Sequence, residues 1–164
     1  MRTLAVDQKT ILRELLGLRG GVVDTSTLIY LERLGLLPLA AHSFSLLLIP
    51  QVIAEYGRCP EGCMLTPASG TGTTDEQLCR VAHSLAQPVL SEDRQVLRRA
   101  RTLGLSFYNT LMLVLALCAQ GAVPIADYPD LRNHLCAFAR YSPAVIATGD
   151  AVYQALQHSQ NPDR

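Results

Sequence analysis

A chain of 164 residues, 49% hydrophobic and 17% charged, has enough apolar material for one core and too much for a disordered segment. Its fourteen basic and fourteen acidic side chains cancel, so no global field draws in a polyanion and any affinity for nucleic acid must come from a local patch. Five scattered cysteines suit a reducing compartment, the cytoplasm by default, better than a disulfide framework. The N-terminus carries Asp7 and Glu14 and lacks the apolar core of a signal peptide, and the longest apolar run, Leu111 to Ala119, is too short to span a bilayer.

Residues 4 to 18 place Leu4, Ile11, Leu12, Leu15, Leu16 and Leu18 at helical spacing, and Gly20 and Gly21 stop the pattern. Val22 and Val23 then lead into Asp24, Thr25 and Ser26, after which Leu28, Ile29, Leu31 and Leu34 recur as one helical face. This predicts a short buried strand turning directly into a helix. The unit repeats: Leu46 to Ile49 is a continuous apolar strand, and Pro50 opens a helix carrying Val52, Ile53 and Tyr56. Residues 66 to 74 form a loop, followed by a helix with Leu78, Val81, Ala82 and Leu85 on one face and Asp75 at its start. Further along come a strand at Pro88 to Leu90, a helix at Arg94 to Leu103, a strand at Leu105 to Tyr108 and a buried helix at Thr110 to Gln120.

The alternation predicts an α/β fold with a mainly parallel sheet covered on both faces, because parallel strands need crossovers and helices supply them. Two helices, about 128 to 140 and 143 to 158, close the chain. Their Leu131, Leu135, Phe138, Val145, Ile146, Val152 and Leu156 supply more apolar surface than a tail needs, so they are expected to pack on the domain or to build a homo-oligomer. The chain therefore reads as a single domain, 1–164, with an N-terminal helical extension (1–21), a core (22–123) and C-terminal helices (124–164).

Ligands of open parallel sheets bind beyond the carboxyl ends of the strands. Asp24 and Asp93 occupy two strand-to-helix turns, Glu55 lies about one turn into a helix, and Asp75 sits at a helix N-terminus. Singly, Asp24, Asp75 and Asp93 suit helix caps and Glu55 suits a solvated face. Together they form a set that repels itself unless a hard cation neutralises it, and oxygen ligands suit Mg2+ or Mn2+. Arg94, Arg98 and Arg101 follow Asp93 at i, i+4 and i+7, a shared face that fits either solvent or a nucleic-acid backbone. With nine aromatic side chains in all, sequence-specific reading of single strands is not indicated.

In order, the segments VVDTSTLIYLERLG, LLLIPQVIAEYGR, TDEQLCRVAHSL and PVLSEDRQVLRRARTLGLSFYNT resemble the PIN-domain ribonucleases over roughly residues 22 to 123. The likeness is to the subgroup whose first strand ends in D-T-S-x-L-I. It implies a three-layer α/β/α fold with Asp24, Glu55, Asp75 and Asp93 as the family's four acids. Glu76 and Glu92 stand beside the last two as rivals. The implied activity is metal-assisted endonucleolytic hydrolysis of RNA. Asp24 and Asp93 would be the first ligands, and Glu55 and Asp75 would bind directly, through water, or orient the attacking water. Thr25 and Ser26 would fix Asp24, and Arg94, Arg98 and Arg101 would meet the RNA. Many small PIN proteins are toxins paired with an antitoxin protein, and others are inactive modules that bind RNA or a partner, so the resemblance leaves both roles open.

Other constellations are weaker. Cys59 and Cys63 lack a second pair at zinc spacing, and the SGTGTT loop lacks the Gly-Lys-Ser/Thr ending of a P-loop. VVDTST also starts like a haloacid-dehalogenase-type phosphatase, but the second Asp two residues on is missing.

Overall fold

The computed structural model describes residues 7–161, so Leu4 of the expected first helix lies outside the described residues. The chain divides into two compact units, Arg19–Thr110 and a second built from Leu111–Arg164 with the N-terminal segment up to Leu18.

The first unit holds five parallel strands: β1 (Gly20–Val23), β2 (Ser45–Leu48), β3 (Met64–Leu65), β4 (Val89–Leu90) and β5 (Phe107–Tyr108). They lie in the order β3-β2-β1-β4-β5. Each crossover carries helix: α2 (Thr25–Arg33) and α3 (Leu37–Ser43) after β1, α4 (Pro50–Tyr56) after β2, α5 (Thr74–Leu85) after β3, and α6 (Arg94–Thr102) after β4. The path steps one way from β1 to β3 and the other way from β3 to β5. Right-handed crossovers therefore put α2, α3 and α4 on one face and α5 and α6 on the other. Accordingly α2 packs on α4, and α5 on α6. The unit is α/β, three layers deep, with an all-parallel sheet.

The first strand, β1, is the middle one, which explains its composition. Gly20 and Gly21, expected to end the first helix, begin this strand instead. A Cβ on Gly20 would lie 2.1 Å from the Ser45 carbonyl oxygen, and one on Gly21 would lie 2.6 Å from that of Pro88. Neighbouring backbones press in from both sides, and only glycine leaves them room. Val22, Val23, Leu46, Leu48, Val89 and Leu90 are fully buried, as strands covered on both faces require.

The other expected elements appear with small shifts. Ile49, placed at a strand end by its apolarity, is the N-cap of α4, with Pro50 at the first helical position. The strand expected from Leu105 is shorter, β5 alone. In the first unit, α3 and β3 were not anticipated, and in the second neither was a short 3-10 turn at Ile125–Asp127.

In the second unit, α1 (Gln8–Gly17) packs on α9 (Pro143–Gln160). Gln120, just past α7 (Thr110–Ala119), donates from Nε2 to the carbonyls of Leu15 (2.9 Å) and Leu18 (2.8 Å). Leu113 to Cys118 of α7 are fully buried. Between α8 (Tyr128–Phe138) and α9, Tyr128 stacks on Tyr153 with centroids 4.7 Å apart, and Arg132 grips Asp150 with two bonds of 2.7 and 2.9 Å. Leu135, Val152 and Leu156 are buried. Among the described residues no helix is long and apolar enough to cross a membrane.

Candidate functional site

All four predicted acids belong to the first unit, at the edge where the strands' carboxyl ends turn into helices. Asp24 follows β1 and is buried, only 8% exposed. Its backbone N–H continues the sheet by donating to Leu90 O at 2.8 Å. Its side chain caps α2, with Oδ1 accepting from the Thr25 N–H at 2.8 Å and Oδ2 from the Ser91 hydroxyl at 2.8 Å. Ser91, just past β4 and fully buried, also accepts the Asp93 N–H at 3.0 Å. One hydroxyl thus ties the ends of two adjacent strands and links Asp24 to Asp93. Asp93 itself is exposed and caps α6, taking the Gln95 N–H at 2.7 Å.

Glu55 joins this edge from α4. Its Oε2 accepts from the Thr25 hydroxyl at 2.8 Å and its Oε1 from the Thr74 hydroxyl at 2.9 Å, so the starts of α2 and α5 hold it between them. Behind it, Gln51 Nε2 donates to Gln77 Oε1 at 2.5 Å, and Gln77 Nε2 donates to the Gly72 carbonyl at 3.0 Å. That chain joins α4, α5 and the preceding loop.

Asp75 is not the cap of α5. Thr73 is, its hydroxyl accepting the Glu76 N–H while Glu76 accepts the Thr73 N–H, both at 3.2 Å. The rival acid at this helix is therefore committed to a capping box and to Arg99 at 3.5 Å, which leaves Asp75 facing the other acids. At the start of α6, Glu92 is held by donors of the scaffold. It accepts from the Thr110 N–H at 2.6 Å, from the Thr110 hydroxyl, and from the Thr27 hydroxyl at 3.3 Å.

Electrostatics couple several of these acids. Burial pushes the Asp24 carboxyl above the usual carboxylate range; the Ser91 and Thr25 hydrogen bonds pull it down, and the charges of Asp75 and Glu55 push it up. Asp75 is also raised, first by burial and then by Asp93, with Glu55 and Glu76 adding repulsion and the Arg99 cation opposing it. Asp24, Glu55 and Asp75 thus interact, and Asp93 reaches the set through Asp75.

Of the supporting residues, Thr25 contributes as expected through its N–H, while its hydroxyl serves Glu55. Ser26 does not hold Asp24: its hydroxyl accepts the Glu92 N–H at 3.3 Å. Ser91, Thr74 and Arg99 were missed. Arg94, Arg98 and Arg101 line a shallow groove of about 240 Å³ on the face of α6 that also carries Leu97.

Hard oxygen donors that repel one another are the right chemistry for Mg2+ or Mn2+. As the side chains stand, no three His, Cys, Asp or Glu among the described residues are grouped so as to hold a metal ion, so side chains would have to move to close on one. The exposed Asp93 has that freedom; Asp24, bonded through both oxygens, is fixed. The Cys59 thiol lies 3.7 Å from the Cys63 carbonyl oxygen. A cavity of about 840 Å³ contains none of the four acids; it lies toward the far end of α2, with Glu32, Leu37, His42 and Arg58 in its walls.

No protein-family model matches the chain, and no curated protein matches it significantly in sequence. Among solved structures it is similar to a PilT N-terminus domain protein from the hyperthermophilic archaeon Sulfolobus solfataricus P2. The two share 15% identity with a TM-score of 0.44, covering 60% of this chain and 93% of that one.

Proposed function

We propose that the chain is a PIN-like, divalent-cation-dependent endoribonuclease that hydrolyses RNA phosphodiester bonds at the edge formed by Asp24, Glu55, Asp75 and Asp93. One observation carries the reading: four carboxylates from four separate segments lie along the carboxyl edge of a parallel sheet, where Asp24 and Asp75 are raised by their neighbours' charge as well as by burial. Stability alone gives no reason to gather them.

A bound Mg2+ or Mn2+, with Asp24 and Asp75 as primary ligands and Asp93 drawn in, would supply positive charge to the phosphate and make a nearby water a better nucleophile. The rest is the work of the chain. Ser91 and the Thr25 N–H hold the Asp24 carboxylate in one orientation, so no side-chain freedom is lost there on binding. Glu55, positioned by two threonine hydroxyls, keeps free lone pairs with which to accept a proton from an attacking water. Arg99, beside Asp75 and Glu76, is a cation within the same edge and fits the role of a phosphate partner.

A second reading, a non-catalytic PIN-like module that binds RNA or a protein, is favoured by the lack of any three ligands already grouped around one point among the described residues. A toxin role with an antitoxin partner, and a homo-oligomeric state, rest on the sequence alone.

Mixed RNAs incubated with purified protein and Mn2+ separate the two readings. Cleavage that EDTA abolishes, lost in Asp24→Asn, is expected. The same variant should melt no lower than wild type without metal, because one of the repelling charges is gone, and should show a smaller Mn2+-induced rise in Tm. Cleavage that survives EDTA, or Asp24→Asn protein that keeps both the full Mn2+ shift and activity, would overturn the assignment.

A further inference from the structure

The four arginines of α6 divide by face. Val96 and Ala100 face inward and are fully buried. Arg99 turns toward Glu76 at 3.5 Å. Arg94, Arg98 and Arg101 line the groove with Leu97 and with Phe107 of β5, the edge strand. No carboxylate partner is found for these three among the described residues. The arrangement works against the helix twice. Like charges one turn apart repel, and Arg94, the first residue after the cap, puts a cation at the positive end of the helix dipole. An anion lying along this face would relieve both.

Its shape narrows the choice of anion. Arg94 to Arg101 spans about 10 Å at 1.5 Å per residue, so the cations form a line and not a point, which suits a repeating polyanion better than a single phosphate. At the far end the Arg101 guanidinium lies over the Phe107 ring, 5.6 Å from its centroid. That flat, partly exposed surface lies between helix and sheet edge, where a base reaches it only when unstacked from its neighbours. The near end begins one residue after Asp93.

We propose that Arg94, Arg98, Arg101 and Phe107 form a track for single-stranded nucleic acid, leading the strand's phosphates along α6 from the acidic edge and stacking an unpaired base at Phe107 and Arg101. The track rests on the ribonuclease reading for the identity of the strand as RNA. Recognition here is by backbone and stacking, not by base identity.

Binding is measured apart from hydrolysis, by the anisotropy of a short labelled oligouridylate added to the full chain in EDTA. Wild type is expected to bind with a log-log salt slope of about −0.7 for each phosphate contacted. Arg94→Glu with Arg98→Glu should weaken binding by at least about tenfold and flatten that slope, and the Gln pair should act in the same direction with less force. Phe107→Leu should weaken binding by roughly fivefold or more with the slope unchanged, and Phe107→Tyr should restore it. A duplex of equal length should bind more weakly than the single strand. Unchanged affinity and slope in the folded Arg variants, equal binding of the duplex, or preference for a phosphopeptide would each overturn the track. Oligouridylate binding that follows this pattern in a protein that cleaves no RNA with Mn2+ would leave the track standing and sink the nuclease. Cleavage by wild type with binding indifferent to these residues would do the reverse.

Discussion

The starts of α5 and α6 each present two adjacent acids, Asp75 with Glu76 and Glu92 with Asp93, and the two members of each pair do different work. At α5 the glutamate closes a capping box with Thr73 and pairs with Arg99, while the aspartate is coupled by charge to Asp24, Glu55 and Asp93. At α6 the glutamate is bound by Thr110 and Thr27, and the aspartate caps the helix at its exposed end. Both glutamates reach back to N–H groups of the scaffold; of the aspartates, Asp93 caps its own helix and Asp75 does not. In both pairs the glutamate is bound to the scaffold and the aspartate is the candidate ligand, at α6 one that also caps its helix.

The largest test of that division is at α5. Asp75→Asn should lower Mn2+-dependent cleavage on the order of 100-fold or more, beyond the usual effect of changing a residue that only supports a ligand. Glu76→Gln should leave cleavage within a few-fold and lower stability by about 0.5–1 kcal/mol through the weakened capping box. Equal losses of activity from both changes, read from initial cleavage rates at matched folded fraction, would erase the distinction.

At α6 the order should invert for stability. Glu92→Ala removes the acceptor of the Thr110 N–H and leaves that group without this partner, at a cost of about 1–3 kcal/mol in urea unfolding. Asp93→Asn should cost less than about 0.5 kcal/mol, since asparagine caps nearly as well, and should reduce the Mn2+ shift in Tm. A Glu92 variant as stable as wild type would place it among the site acids instead.

The smallest effect is on the pH dependence of the metal-free protein. Asp24 and Asp75 titrate above 3.8 when folded, so in that window the folded chain holds protons that the unfolded chain has released. Their contribution is therefore stabilising near 3.8, falls as pH rises through the raised values, and is absent above them. Acidifying the protein in EDTA should recover this part of the stability, and Asp24→Asn should recover less. Identical curves of urea midpoint against pH for variant and wild type would show that Asp24 carries no such strain.

The sequence revealed most where burial and backbone chemistry act locally. Val22–Val23, the Leu46–Leu48 run and the helix-start signals at Pro50 and Asp93 all lie close to their expected places, because a strand covered on both faces must be uniformly apolar. The edge strand β3 was not visible: Met64 and Leu65 are 48% and 60% exposed, so the pair offers neither a buried run nor an alternation. α3 was hidden for a related reason, seven residues opening on Leu37–Pro38 being too few for a period to show. At the site, the aspartates were legible as strand-end residues. Ser91 was not, since its partner Asp24 is 67 residues away and nothing in VLSED marks which hydroxyl the fold will turn inward. Arg99 was obscured by its neighbours; a helical net shows which arginines share a face, not which face meets α5.

The strand order also sets a timetable. The middle strand, β1, is the first to leave the ribosome, yet its neighbours arrive later and from opposite directions, β2 at Ser45 and β4 at Val89. Until β4 is made, Asp24 has no Ser91 to orient it, and Asp93 does not yet exist. No shorter nascent chain can hold all four acids, so the proposed chemistry must wait until Asp93 has been made.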